Sequence, residues 1–267
     1  MKKIRHRITF TKIIVFLLLA GICISLYHLI PDWYGRWKTK ENYQKLAEDF
    51  VKDDSENAEV KEKKKDWWSQ DVKIEFEELK KVNEDIVGWI RFDDTKQIPI
   101  NYPILYSGDN EKYLRSDIYG EYQIAGCIFL EGLNQPDFSD LYNIIYGHNM
   151  RDESMFGSLK KYKEEGFYER NPYFTVYTEE RAYRYQFFSW FEAKNRGQVY
   201  RIGYQENEEY QQFIDVLTEA SDEETGIYPQ KEDRIVTLST CTGDGNYAER
   251  FVVIAVCVDE QSVSVTE

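Results

Sequence analysis

From Val87 onward the chain breaks into eight short runs that read as strands, and no other feature narrows the fold as much. The runs are GWIRF (88–92), IPINYPIL (98–105), AGCIFLE (125–131), YNIIYGH (142–148), YFTVYT (173–178), RAYRYQFFSWFEA (181–193), RIVTLST (234–240) and FVVIAVCV (251–258). They are rich in Ile, Val, Tyr and Phe, and clusters of Gly, Pro, Asn and Asp separate them. Strands at such spacing predict a barrel or a sandwich. Two helical patterns interrupt them. SMFGSLKKYKEE (154–165) follows a histidine, and ENEEYQQFIDVLTEA (206–220) sets Tyr210, Phe213, Ile214 and Leu217 at helical spacing before the last two strands. Upstream, Ile74, Leu79, Val82 and Ile86 predict a helix over about 70–83 that packs on the same domain.

The N-terminus belongs to a different class of sequence. Residues 1–12 carry five Lys/Arg and no acid, and residues 13–30 hold no Asp, Glu, Lys or Arg. Eighteen such residues are just long enough to cross a bilayer as a helix. Trp33, Tyr34 and Trp37 follow, as at a membrane interface. A cleaved signal peptide needs a small-x-small site after a shorter apolar region, and LYHLIPDWYG offers none. The expectation is one uncleaved signal anchor with its basic end in the cytoplasm. The domain order expected is therefore a cytoplasmic tail (1–12), a transmembrane segment (13–30), a charged extracellular stalk (31–69), a catalytic domain (70–260) and a short tail (261–267). The formal net charge of −14 argues against a nucleic-acid partner.

Four cysteines are present, Cys23, Cys127, Cys241 and Cys257. Cys23 lies in the apolar span, so the exported part has three and must leave one unpaired. Cys127 and Cys257 have apolar neighbours and read as small buried hydrophobes. Cys241 stands where a strand meets a polar loop containing glycine. A nucleophilic thiol needs a nearby cationic or basic partner, most often histidine. Of the three histidines, His6 and His28 fall before or within the apolar span, leaving His148. Arg250 opens the last strand nine residues after Cys241 and returns to it if the two strands pair. Its forked donors suit a carbonyl or an oxyanion. Each residue also has an ordinary reading: a packed cysteine, a surface histidine, a rim arginine paired to an acid. Ser239 shares the strand face of Cys241 by the period of two, and Thr240 takes the other. No His/Cys spacing resembles a zinc site, and no cofactor is expected.

TLSTC, an arginine after a short loop, and IIYGHN about ninety residues earlier together resemble the sortases, most closely class B. DIVGWIRF, IPINYPIL, GDNEKYL, AGCIFLE and YGHNMRDESMFGSLKKY extend the likeness over roughly residues 70–258. The resemblance implies a mainly β fold, a closed eight-stranded barrel with peripheral helices, and a membrane-anchored cysteine transpeptidase outside the cell. It implies that Cys241 attacks a threonine carbonyl in the C-terminal sorting signal of a secreted protein. His148 then serves as general acid and base, and Arg250 holds the substrate and the oxyanion, with backbone N–H groups after Cys241. The thioester passes to an amine, either a cell-wall peptide precursor or a pilin lysine. Ser239, Asn101, Leu105 and Tyr200 fall at positions implied to contact the sorting peptide. Two other functions fit the same residues: a secreted cysteine protease, and an anchored binding domain for which Cys241 is dispensable.

Overall fold

A computed structural model describes residues 2–53, 68, 72–241 and 248–263; inside these, the side chains of 2–9, 11, 28–33, 36, 53 and 241 are not described. The chain divides into two compact units, Met1–Asn42 and Tyr43–Glu267. The first is formed by helix α1 (Lys2–Phe50), whose last turns belong to the second unit. Along it Ile13, Phe16, Leu17, Leu18 and Ile24 are exposed. Among the described residues no helix is long and apolar enough to cross a membrane. The span expected over 13–30 has described side chains only as far as Tyr27. Those fifteen residues rise about 22 Å, short of a hydrocarbon core of about 30 Å.

The second unit holds the barrel. Its strands are β3 (Ile86–Phe92), β4 (Asn101–Leu105), β5 (Ile128–Leu130), β6 (Tyr142–Tyr146), β7 (Tyr173–Tyr177), β8 (Arg181–Lys194), β9 (Ile235–Cys241) and β10 (Glu249–Ser262). They close in the order β10-β8-β7-β3-β4-β5-β6-β9. All eight expected runs are strands of this barrel. Closure removes the free edges that an open sheet exposes. Two pairs are parallel, β4 with β5 and β6 with β9; the others are antiparallel.

Alternation along the strands builds two cores. One contains Trp89, Phe92, Phe174, Tyr185, Phe187, Val236, Leu238 and Val253. The other gathers Ile144, Ile235, Val252 and Ile254 under helix α4 (Glu208–Glu219). Tyr210, Phe213, Ile214 and Leu217 form the buried face of α4, as their spacing predicts. Asn207 caps the helix by accepting the Tyr210 N–H at 3.1 Å. Each such buried apolar side chain contributes about 1.5–3 kcal/mol.

Three local expectations differ from the structure. The helix expected over 70–83 is a short strand β2 (Val72–Ile74) followed by α2 (Phe76–Val82). β2 pairs with β1 (Val51–Asp53), with Val51 opposite Ile74. Its partner lies 21 residues upstream, outside any local window. The stalk expected over 31–69 is not wholly solvated: Tyr43 and Leu46 are 3% exposed and join the barrel core. The Tyr43 hydroxyl reaches the Cys127 thiol at 3.2 Å. Residues 54–67 and 69–71 lie outside the described residues. The helical pattern after His148 is a 3-10 helix at Gly157–Lys163 and a short helix α3 (Phe167–Arg170). Buried Leu159 and Tyr162 stand three apart, a repeat that a three-fold helix keeps on one side.

Candidate active site

The parallel pairing of β6 with β9 and the antiparallel pairing of β9 with β10 bring three distant segments together. In register, Tyr146 faces Ser239 and Cys241 faces Arg250. Gly147 continues β6 by donating its N–H to the Ser239 carbonyl at 3.1 Å. A β-carbon at Gly147 would lie 2.5 Å from Ile128 Cδ1 and 2.6 Å from Phe156 Cδ2, so only glycine fits here. The chain then turns, and the Phe156 N–H donates back to the His148 carbonyl at 3.0 Å. His148 is thus fixed at the end of β6, beside the ends of β9 and β10.

The three meet at a cleft of ≈ 590 Å³ whose lining includes His148, Tyr200, Ser239, Thr240 and Arg250. Cys241 ends β9 at this place; its side chain lies outside the described residues, as does the loop 242–247 expected to supply oxyanion donors. His148 Nε2 is 2.8 Å from the Leu114 carbonyl. A carbonyl only accepts, so Nε2 carries the proton and Nδ1 of neutral His148 keeps its lone pair. Burial lowers the His148 pKa, and the charges of Arg115 and Arg250 lower it further, against the raising effect of the Leu114 carbonyl. At neutral pH the imidazole is therefore a free base. Arg250 Nη1 donates to the Glu249 carbonyl at 2.9 Å, which orients the guanidinium along the strand end. Among the described residues no group of three or more His, Cys, Asp or Glu side chains is placed to hold a metal ion.

Of the four expected peptide-contact residues, two reach the cleft. Tyr200 and Ser239 line it, joined by a hydrogen bond of 2.9 Å between their hydroxyls. Ser239 is 1% exposed, its hydroxyl held by that of Tyr200. Asn101 and Leu105 stand elsewhere. Asn101 Oδ1 accepts the Trp89 indole N–H at 2.7 Å, and Leu105 is fully buried in the barrel core. Neither lines the cleft, because β4 turns these side chains to internal packing.

Asn110 and Leu114, four apart like Asn101 and Leu105, line the cleft instead, with Glu131 and Tyr146. A signal existed in GDNEKYL. Asp109 caps a short turn there, its Oδ1 accepting the N–H of Glu111 at 2.7 Å and of Lys112 at 2.8 Å. That turn presents Asn110 on one side and the Leu114 carbonyl on the other. Tyr146 was legible by alternation, standing two residues before His148. Glu131 reads in the sequence as only a polar strand end.

A sortase domain model matches residues 94–258. The chain belongs to the sortase family. Sortase B of Staphylococcus aureus is 31% identical over 249 residues, covering 92% of this chain and 96% of that protein. Sortase B of Listeria monocytogenes is also 31% identical, over 235 residues, 88% of this chain and 94% of that one. The crystal structure of sortase B from Bacillus anthracis in complex with AAEK1 is 31% identical and superposes with a TM-score of 0.69, covering 85% of this chain and 99% of that one. This sortase is of class B, a cysteine transpeptidase on a closed eight-stranded barrel.

In such a site Arg250→Lys is expected to lower transpeptidation about 10²–10³-fold, as loss of an oxyanion donor does. Lysine keeps the charge but not the planar fork. Steady-state kinetics of the variant check this, and wild-type turnover reduces Arg250 to a generic cation.

Proposed function

We propose that this class B sortase is anchored by its N-terminal helix and joins secreted proteins to an amine through a thioester on Cys241. The observation that carries this reading is the register of Cys241 with Arg250, which lines one cleft together with His148. His148 Nδ1 takes the thiol proton, and the Cys241 sulfur attacks the carbonyl carbon of a threonine in the C-terminal sorting signal. Arg250 steadies the oxyanion. The C–N bond breaks as His148 returns the proton to the leaving amine. An incoming amine, from a cell-wall peptide precursor or a pilin lysine, then gives its proton to His148 and attacks the thioester. The C–S bond breaks and an amide remains. Tyr200 and Ser239 contact the sorting peptide, as do Asn110 and Leu114.

The anchor is supported by the exposed apolar side chains along residues 13–27 and by the five Lys/Arg before them. The basic tail stays in the cytoplasm and the catalytic domain faces outward, in a single pass through the cell membrane. Transfer separates this reading from a secreted protease. With a triglycine or lysine acceptor present, most of the acyl product is expected as amide, read by chromatography of the products. An acid product whose yield no amine changes marks a hydrolase instead.

A further inference from the structure

We propose that Glu131 is a positioning residue for this site: its buried carboxylate fastens two walls of the cleft, Tyr146 from β6 and Asn110 from the loop after β4, at the spacing a sorting peptide needs. The proposal rests on the sortase reading of the cleft. Glu131 follows β5 and is 7% exposed. A buried carboxylate is costly unless several donors meet it. Two do so closely: Tyr146 donates its hydroxyl to Oε2 at 2.6 Å, and Asn110 donates Nδ2–H to Oε1 at 2.7 Å. The Leu133 N–H approaches Oε1 at 3.4 Å. Asn110 Oδ1 accepts in return from the Gly132 N–H at 2.8 Å, so loop and turn are bound in both directions.

Backbone contact seals the same junction. A β-carbon at Gly132 would lie 2.7 Å from Asp109 Cα, so the loop that carries Asn110 rests directly on the 131–132 turn. That loop continues to Leu114, whose carbonyl holds the His148 ring. On the other side, Tyr146 stands two residues before His148 and stacks on Tyr200, centroids 6.3 Å apart and planes 9° off parallel. Tyr200 in turn bonds Ser239. One carboxylate therefore braces both the loop that orients the general base and the tyrosine pair that covers Ser239.

A carboxylate suits this place. It accepts from both the Tyr146 hydroxyl and the Asn110 amide, and ionised acceptors make the stronger hydrogen bonds. An amide keeps one acceptor for Asn110, while its NH₂ obliges the phenol to turn from donating to accepting, so the charge-assisted bond is lost. Burial, and next the Glu131 bond, raise the Tyr146 pKa, so the phenol keeps the proton that it donates.

The test is Glu131→Gln in the full-length chain in detergent, followed by hydrogen exchange and by kinetics. Exchange over residues 108–114 is expected to quicken tenfold or more while β9 and β10 keep their rates. With a peptide that the wild type acylates, kcat/KM is expected to fall at least tenfold, mainly through KM. Tyr146→Phe is expected to show a similar loss, and the double variant no larger one, because both act through one bond. Unchanged exchange at 108–114, or an unchanged KM, overturns the proposal. So does faster exchange spread over the whole barrel, or penalties that multiply in the double variant. A wild type that acylates no peptide sinks the functional reading alone, and the exchange result still decides the role of Glu131.

Discussion

Cys241→Ala is expected to abolish both cleavage of the sorting signal and transfer to an amine. The covalent route needs a sulfur that leaves as readily as it attacks, and alanine offers neither bond. Neither of the other two thiols of the barrel unit is suited to substitute, and Cys23 lies on α1 in the first unit. Cys127 is fully buried, with its pKa pushed up to about 12 by burial. Cys257 is raised to about 11 for the same reason, and lies on β10 against Tyr185 of β8, away from the cleft lining. Thiols so protonated are poor nucleophiles. The fold should survive the change, since β9 and β10 pair through their backbones from Ile235 to Cys241. Circular dichroism and peptide cleavage on the same preparation check both halves, and turnover by a folded alanine variant ends the assignment of Cys241 as nucleophile.

His148→Ala is expected to cost nearly as much, about 10²–10⁴-fold for lost proton transfer alone. No other histidine belongs to the barrel unit, because His6 and His28 precede Tyr43. The same residue carries a pH signature. Its folded pKa lies below the ordinary value of about 6.5, so the unfolded chain binds the proton first as pH falls. The wild type therefore loses stability below about pH 6.5, and the loss is complete once pH is under the lowered folded value. The alanine variant lacks this term. Urea unfolding of both proteins from pH 5 to 8 is expected to show the wild type declining relative to the variant on acidification. A constant difference across that range contradicts the half-buried neutral imidazole.

What the residues disclose locally, they disclose well. All eight barrel strands follow from runs of branched and aromatic residues between turn formers. The buried face of α4 follows from Tyr210, Phe213, Ile214 and Leu217. Pairings between distant segments are another matter. Val72–Ile74 reads as a helix start until Val51–Asp53 is laid beside it. Tyr43 looks like one apolar residue in a polar stalk, yet it packs edge-on against Tyr102, 5.3 Å away. The cleft shows the same division. Ser239 and His148 are fixed by strand position, so their placing follows from alternation and register. Asn101 and Asn110 look alike in sequence, and only the Trp89 indole bonded to Asn101 separates packing from lining. Glu131 acquires its meaning from Tyr146 and Asn110, fifteen and twenty-one residues away on either side.

The most direct test of the central claim is intact-mass spectrometry of the full-length chain in detergent, incubated with a library of sorting-type peptides. A mass gain on Cys241, equal to the peptide portion ending in threonine, is expected. It should disappear on addition of an amine, with an amide product of matching mass. Cleavage of a peptide with no adduct on Cys241, or an adduct on another residue, contradicts the account.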